Sequence, residues 1–396
     1  MLPLASLSAV EPQQVGLSPA GLTRAADALR AEIAAGRLPG AVVLVARHGG
    51  VAWYDSFGVR DPASGDPMRR DAIFRIYSMT KPVVSLAAMM LMEQGRLLLS
   101  DPVGRYLPEF AAPSVGVERD GALHLQPAAR PITVQDLLRH TSGLTYEFLG
   151  TAPVQRLYVQ ARVADRGRSN AEASRALAAL PLLHEPGTRW EYSRSTDVLG
   201  RLLEVVADRP LGELLAERIL APLGMADTAF DVPPAQHHRI AEPFAVDPDT
   251  GSAVRLIDVR TPVALESGGG GLVSTAADYA RLMQLLLDGG TLDGVRLVSR
   301  KTVELMTVDH LGTLAADSPL LPAGHGFGLG FAVRTAAGLA SVPGSVGQYF
   351  WGGIAGTTFW VDPRERMIAV LLIQAPGRRE YYQQLFRGLV HAAFDD

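Results

Sequence analysis

The chain has 396 residues, more than a single hydrophobic core commonly serves, so we expect two structural domains. Its 47% apolar and 20% charged residues are typical of a globular protein, and a net charge of −4 with no basic stretch argues against nucleic acid as a partner. The sequence has no cysteine, which excludes disulfide bonds and zinc–thiolate sites.

The N-terminal stretch MLPLASLSAVEPQQ lacks the positive charge and the long apolar core of a signal peptide. No apolar run reaches the roughly 18 residues of a membrane span. We therefore predict a cytoplasmic protein without a membrane partner. There is no His-Glu-x-x-His motif, and we expect neither a metal ion nor a cofactor. The sequence predicts no particular oligomeric state.

Strand patterns occur near both ends of the chain. A helix is predicted first, over residues 18–35, because Ser18 can cap it, Pro19 suits its first turn and Gly36 can end it. Two β-rich runs around a glycine pair then predict a hairpin, and four more runs predict strands near the C-terminus. The predicted strands cover residues 41–47, 51–57, 326–334, 348–353, 357–362 and 367–373.

Helical periodicity dominates the middle of the chain and returns at its end. The predicted helices cover residues 133–140, 170–179, 196–207, 211–220, 275–287 and 379–394. We expect an α/β part, in which an antiparallel sheet built from both termini is flanked by helices, plus an all-α region inserted between them. The predicted domains are 1–73 together with 325–396, and a mainly helical 74–324.

Ser78 and Lys81 stand at the expected start of an apolar, buried helix. They are three residues apart, so their side chains share one helix face. A helix N-terminus supplies free N–H groups for a developing oxyanion, and a serine hydroxyl needs a neighbouring base to become a nucleophile. Burial can lower the pKa of a lysine far enough for it to serve as that base.

Lysine is nearly absent from this chain, which makes Lys81 a stronger candidate for a functional residue. Lysine occurs only at positions 81 and 301, whereas arginine is used elsewhere. An arginine stays protonated and could not act as a base. A lysine kept in an apolar segment therefore indicates a position where loss of the proton matters.

The segment Ser78-Met-Thr-Lys81 resembles the SxxK motif of serine β-lactamases and penicillin-binding proteins. Residues 185–194, EPGTRWEYSR, resemble the segment that carries the family tyrosine, here Tyr192. Trp351-Gly352-Gly353 stands where that family has Lys-Thr-Gly, which is similar to the family VIII carboxylesterases. The segments HTSGL from 140 and GGGGL from 268 also resemble this group, and the likeness spans nearly the whole chain.

The resemblance implies a β-lactamase-like fold and a catalytic group of Ser78, Lys81 and Tyr192. It places the oxyanion hole at the backbone N–H groups of Ser78 and Ile354. A cationic Lys81 could lower the pKa of the Tyr192 phenol, so the two would act as a coupled pair. The sequence leaves open which of them takes the serine proton.

Substrate contacts are expected from Trp351, Gly352 and Gly353, where the glycines allow close approach and the indole offers an apolar wall. The family lysine of Lys-Thr-Gly is missing, and Arg194 replaces an asparagine, which disfavours anionic β-lactams and favours neutral small-molecule esters. Arg194 is the remaining candidate for a cationic substrate contact. Loops 147–167 and 233–260 are predicted by position to shape the pocket.

Other functions stay open at this stage. A Ser-His-Asp hydrolase is disfavoured because no Gly-x-Ser-x-Gly motif occurs, and His140 suits the end of a helix. For metal-dependent hydrolysis, the candidate ligands in the sequence are the adjacent His237 and His238. A sensor that is acylated without turnover would carry the same motifs. β-Lactamase, D-aminopeptidase, other amide hydrolase and acyltransferase activities would use the same residues. The favoured function is hydrolysis of short-chain carboxylic esters.

Overall fold

A computed structural model describes residues 7–314, 316 and 318–396. The first six residues of the segment judged not to be a signal peptide lie outside the described part. No described helix is both long and apolar enough to cross a bilayer. The described strands are β1 (Ser8–Ala9), β2 (Gly40–Arg47), β3 (Gly50–Asp61), β4 (Asp66–Pro67), β5 (Phe74–Arg75), β6 (Ser114–Arg119), β7 (Ala122–Pro127), β8 (Val273–Ser274), β9 (Thr291–Leu292), β10 (Val295–Arg296), β11 (His325–Phe327), β12 (Ala332–Arg334), β13 (Tyr349–Gly352), β14 (Thr358–Asp362) and β15 (Met367–Ile373).

The helices lie mostly between the two strand-rich ends. Ser18 caps the first of them, its hydroxyl accepting a bond from the Gly21 N–H at 3.3 Å, as predicted. The described α-helices are α1 (Pro19–Ala34), α2 (Thr80–Glu93), α3 (Val134–Leu138), α4 (Pro153–Gln160), α5 (Asn170–Ala178), α6 (Ser195–Ala207), α7 (Leu211–Leu215), α8 (Ala276–Leu287), α9 (Arg300–Met306) and α10 (Arg379–His391).

Strands from both ends of the chain form one sheet, as predicted. Its order is β1-β3-β2-β15-β14-β13-β12-β11, and β4 extends it beside β3. The central contact joins β2 to β15, which lie more than 300 residues apart in the sequence, in antiparallel register from Ala41 opposite Ile373 to Arg47 opposite Met367. The prediction of a purely antiparallel sheet needs one correction, since β1 runs parallel to β3.

The sheet is buried on both faces. Every residue of β2 is buried, and alternate side chains enter different hydrophobic clusters, because successive residues of a strand point to opposite faces. Val43 and Val45 pack on the side of α1 and α10, while Val42 and Leu44 join the larger cluster that contains α2 and α8. This larger cluster is continuous across the predicted domain boundary, and the two-domain division stays a prediction.

Some local predictions were wrong or incomplete. The predicted strand 326–334 is two short strands, β11 and β12, joined by a turn in which Gly330 has φ +106°. The predicted helix 211–220 is α7 followed by a looser turn of π geometry over Ala216–Leu220. The hairpin β6–β7 and the helices α4 and α9 were not predicted. None of these differences affects the strand and the helix that position the candidate site.

Candidate active site

Ser78 lies in a tight turn at the start of α2. The 3₁₀ turn Tyr77–Met79 runs directly into the helix, which confirms the expected position of Ser78 at a helix N-terminus. Tyr77 has φ +44°, an uncommon conformation for a residue with a side chain, and such strained positions cluster at functional sites. The turn is held by Tyr279, whose hydroxyl donates to the Met79 carbonyl at 2.8 Å. Ser78 is half-buried and lines a cavity.

Lys81 is fully buried beneath Ser78. Its Nζ donates to Ser78 Oγ at 3.3 Å, to Tyr146 Oη at 3.1 Å and to the Gly269 carbonyl at 2.7 Å. Burial lowers the pKa of Lys81 to about 7, with Arg194 adding to the effect and Asp197 opposing it. Near neutral pH, a large fraction of Lys81 is therefore unprotonated and able to accept the serine proton.

Tyr192 completes the group around Ser78. Its hydroxyl lies close enough to the Ser78 side chain to affect the pKa of the phenol, and it accepts a bond from Trp351 Nε1 at 3.1 Å. Lys81 Nζ sits over the Tyr192 ring, 4.4 Å from its centroid. Burial raises the pKa of the Tyr192 phenol, so the expected lowering by a lysine cation is not what the structure shows. These pKa values favour Lys81 over Tyr192 as the proton acceptor, and the choice of base stays a prediction.

Sequence reasoning missed Tyr146. This tyrosine is buried, its ring centroid lies 5.3 Å from that of Tyr192, and burial raises its pKa well above the usual value. Tyr146 lies two residues after the family-like segment HTSGL, which begins at residue 140. That segment was the sequence feature that could have pointed to this tyrosine. Its distance of more than 60 residues from Lys81 along the chain hid the contact.

A glycine-rich loop provides the acceptor beneath Lys81. The Asp197 carboxylate accepts the Gly269 N–H at 3.0 Å and the Ser267 hydroxyl, which fixes the loop so that the Gly269 carbonyl faces Lys81. A Cβ on Gly269 would lie 2.8 Å from Asp197 Oδ2 and 3.0 Å from Tyr146 Oη. The loop therefore needs glycine at this position.

Arg194 does not serve as expected. Its guanidinium is paired with Glu147 and with Asp197, where the Nη1–Oδ2 distance is 3.4 Å, and it stacks on Tyr146 at 4.9 Å. It is absent from the described residues that line the cavity. Arg194 is a structural partner of two carboxylates here, and the predicted substrate contact is not supported by its position.

The strand that carries Trp351, Gly352 and Gly353 lies across the cavity from Ser78. All three line it, and so does Ile354, which is 41% exposed. Gly353 approaches the nucleophile turn so closely that a Cβ would lie 2.6 Å from the Ile76 carbonyl oxygen. Its own N–H is bonded to the Thr357 carbonyl at 2.8 Å, so Ile354 is the next N–H available at this edge. The pairing of Ser78 and Ile354 as an oxyanion hole stays a prediction.

The cavity has a volume of about 540 Å³. One predicted loop, 147–167, contributes Phe148 and Leu149, whereas no described lining residue belongs to 233–260. The other walls come from residues 319–325 and 340–342 and from the first turns of α10. The C-terminal helix is therefore part of the candidate site, which the sequence did not predict.

The histidines are not arranged for a catalytic triad with Ser78. His140 is buried, and its Nδ1 is 3.2 Å from Ser193 Oγ. Its ring packs 4.9 Å from that of Tyr192, and burial lowers its pKa well below the usual value. Within residues 7–314, 316 and 318–396, no cluster of three or more His, Asp or Glu side chains is placed to hold a metal ion.

Comparison with known proteins agrees with this geometry. The model of the family described as Beta-lactamase matches residues 25–393. The chain belongs to this family. It is 39% identical over 350 residues to an uncharacterized protein of Mycobacterium tuberculosis, covering 86% of each chain. It is 33% identical to the esterase EstB of Burkholderia gladioli, covering 92% of this chain and 93% of EstB.

A solved structure gives the same result. EstCE1, a hydrolase with promiscuous acyltransferase activity, superposes with a TM-score of 0.78 at 31% identity, covering 94% of this chain and 98% of EstCE1. These matches confirm the β-lactamase-like fold and the resemblance to family VIII esterases. The chain is a serine hydrolase of this fold, in a group whose members perform ester hydrolysis and acyl transfer.

The pKa of Lys81 leads to a prediction on pH dependence. We expect kcat/KM for a neutral ester to rise about tenfold per pH unit below pH 7 and to level off above it, because unprotonated Lys81 is the active form. Rates are measured from pH 5 to 9 after subtraction of buffer hydrolysis. Lys81→Arg, which keeps a charge that cannot be lost, should be inactive throughout. A rate that falls as pH rises through 7 would contradict the base role.

The same burial predicts an effect of Lys81→Met on stability. Since the folded pKa of Lys81 lies below the ordinary lysine value of 10.5, the unfolded chain binds more protons between about pH 7 and 10.5. The free energy of unfolding of the wild type should therefore increase with pH in this window. Lys81→Met should lack this increase and be at least as stable as the wild type at pH 7. Denaturant unfolding at several pH values measures both, with Lys301→Met as the exposed control.

The two tyrosines should differ in their kinetic effects. Tyr192→Phe removes the hydroxyl next to Ser78, and we expect kcat to fall by about 10² to 10⁴. Tyr146→Phe removes only an acceptor of the Lys81 ammonium, which should lower the pKa of Lys81 and move the rising limb of the pH profile to more acidic pH. Equal losses of kcat with unchanged pH profiles would show that the two hydroxyls do not have these separate roles.

Proposed function

We propose that the protein is an esterase that hydrolyses short-chain carboxylic esters through an acyl intermediate on Ser78. The observation that carries this proposal is the 3.3 Å contact between Ser78 Oγ and the Nζ of Lys81, whose pKa burial lowers to about 7. This pair lies at the wall of a cavity large enough for a small ester.

The reaction follows from the contacts around Ser78. Unprotonated Lys81 takes the hydroxyl proton, directly or through the Tyr192 hydroxyl, as Ser78 Oγ attacks the ester carbonyl carbon. The carbonyl oxygen becomes an oxyanion, for which the N–H groups of Ser78 and Ile354 are the proposed donors. Collapse of this intermediate breaks the C–O bond, and the leaving alcohol takes the proton held by Lys81. Water then attacks the acyl-serine by the same route and releases the acid.

The wall near the nucleophile favours an uncharged group at the scissile bond. Trp351 stands where a lysine would hold an anion close to the reacting carbonyl, and its indole N–H is already bonded to Tyr192. Phe148 and Leu149 continue the apolar wall. The esterase EstB, similar over most of its length, supports ester rather than amide substrates.

Acyl transfer is the second candidate activity. It is supported by the similarity to EstCE1, which is described as having promiscuous acyltransferase activity. The same acyl-Ser78 would be attacked by an alcohol in place of water. Addition of a small alcohol to an ester assay should then yield the new ester, which gas chromatography measures directly.

Covalent labelling tests the nucleophile. A fluorophosphonate probe should add to Ser78 and to no other residue, as found by intact-protein and peptide mass spectrometry. Ser78→Ala should take up no label and should lose hydrolysis of 4-nitrophenyl acetate. Ser85→Ala is the matched control, since Ser85 is buried about two helical turns after Ser78, and it should keep both. Labelling elsewhere, or undiminished labelling of Ser78→Ala, would refute the assignment.

A further inference from the structure

Arg387 lies on α10 and lines the same cavity as Ser78. Its side chain is 6% exposed, and its guanidinium stacks on two aromatic rings, 4.4 Å from the centroid of Phe350 and 5.2 Å from that of Trp360. The stacking fixes the orientation of the guanidinium plane. A buried cation is thus held rigidly at the edge of a space that a substrate can enter.

No carboxylate of the described residues forms an ion pair with Arg387. Its one hydrogen bond from the guanidinium runs from Nη1 to Gln348 Oε1 at 3.3 Å, and no Asp or Glu oxygen of the described residues lies within 4 Å of it. Asp362 is the carboxylate that acts on it electrostatically. Both oxygens of Asp362 already accept bonds from neutral donors, among them the N–H groups of Ser345 and Arg364.

A second buried guanidinium adds to the positive charge. Arg334 is 5% exposed, its Nη1 donates to the Val342 carbonyl at 3.0 Å, and its Nε has no partner within the described residues. With Asp362 as the buried carboxylate, this cluster carries one positive charge in excess. Burial lowers the pKa of Arg387 to about 9, so the guanidinium is still protonated at neutral pH. An uncompensated buried charge is costly unless a partner arrives.

The position of Arg387 sets where such a partner would bind. Gln383 lies beside Gly352, since its Nε2 is 2.8 Å from where a Gly352 Cβ would be. Arg387 is one turn further on, about 6 Å along the axis of α10. Arg387 therefore lines the same cavity as Ser78, about one helical turn beyond the part of α10 that borders Gly352.

We propose that Arg387 binds a carboxylate on the part of the substrate that extends away from the scissile ester. The inference rests on the proposed esterase function and narrows its substrate class to esters that also carry a free carboxylate several bonds from the reacting carbonyl. The two ends of the cavity then have different roles. The wall around Trp351 holds the uncharged ester, and Arg387 compensates the distant negative charge with charge-assisted hydrogen bonds.

Competitive inhibition of 4-nitrophenyl acetate hydrolysis tests this subsite. Hexanoate and hexanamide have nearly the same shape, and only the first carries a charge. We expect hexanoate to inhibit the wild type about tenfold to a hundredfold more strongly than hexanamide, the range for a hydrogen bond to a charged group. Arg387→Met keeps an apolar contact on the rings and should reduce this ratio to about one.

Arg334→Met is the matched control. It removes a buried guanidinium of the same cluster that is absent from the described lining residues, so it should lower the ratio clearly less than Arg387→Met does, because it takes away nearby charge but no direct contact with the carboxylate. A wild-type ratio near one would overturn the proposal. A high ratio that Arg387→Met leaves unchanged would overturn it as well, because the carboxylate would then bind elsewhere, for example at Lys81.

Thermal stabilisation separates this proposal from the esterase proposal. Hexanoate should raise the Tm of Ser78→Ala more than hexanamide does, whether or not the wild type hydrolyses esters. The same measurement applies if Arg387→Met fails to fold. Equal shifts from the two compounds would count against the subsite alone, whereas absence of Ser78-dependent turnover would count against the esterase function alone.

Discussion

The burial of a single ammonium group is the constraint on which the candidate site depends. Lys81 lies in a helix whose residues from Thr80 to Leu91 are all buried, and water does not reach its Nζ. A lysine in such surroundings is held only where polar partners replace part of its hydration. The Gly269 carbonyl and the hydroxyls of Ser78 and Tyr146 are those partners. They offset part of the cost of burying Lys81 and leave its pKa at about 7.

The surrounding structure follows from the need to bring these partners together. The glycine loop lies nearly 190 residues after Lys81, and Asp197 fixes it from α6. The sheet brings β13 against the nucleophile turn from the far end of the chain, since β2 and β15 join the two termini. The fold thus brings distant segments of the chain together around one buried lysine. Its sheet, buried on both faces, is rigid enough for that purpose.

The features that the sequence revealed are local ones. The strand β15 and the helices α5, α6 and α8 have clear periodicity, and their predicted bounds agree with the structure to within one or two residues. The motif around Ser78 and Lys81 is likewise contained within one helical turn. The sequence did not predict roles for Tyr146 and Arg387, because those roles depend on which residues they contact in the fold. A tyrosine and an arginine are ordinary residues until the fold places them beside a lysine or a cavity.

The family motifs and the tertiary structure lead to different expectations for the charge around the cavity. Loss of the Lys-Thr-Gly lysine predicted a site for neutral esters, and Trp351 places an apolar ring at the corresponding position of the wall. Arg194, the remaining cation in the motifs, is occupied by Glu147 and Asp197.

Yet the cavity is not free of positive charge, because α10 brings Arg387 into its wall without a carboxylate partner among the described residues. A cation next to the reacting carbonyl would compete with Lys81 by disfavouring any further positive charge there. The charges that shift the pKa of Lys81 are Asp197 and Arg194, and Arg387 is not among them, since the interaction between charges falls with distance. Separating the proposed anion-binding charge from the proposed base would let one site keep a neutral lysine and still select a charged substrate.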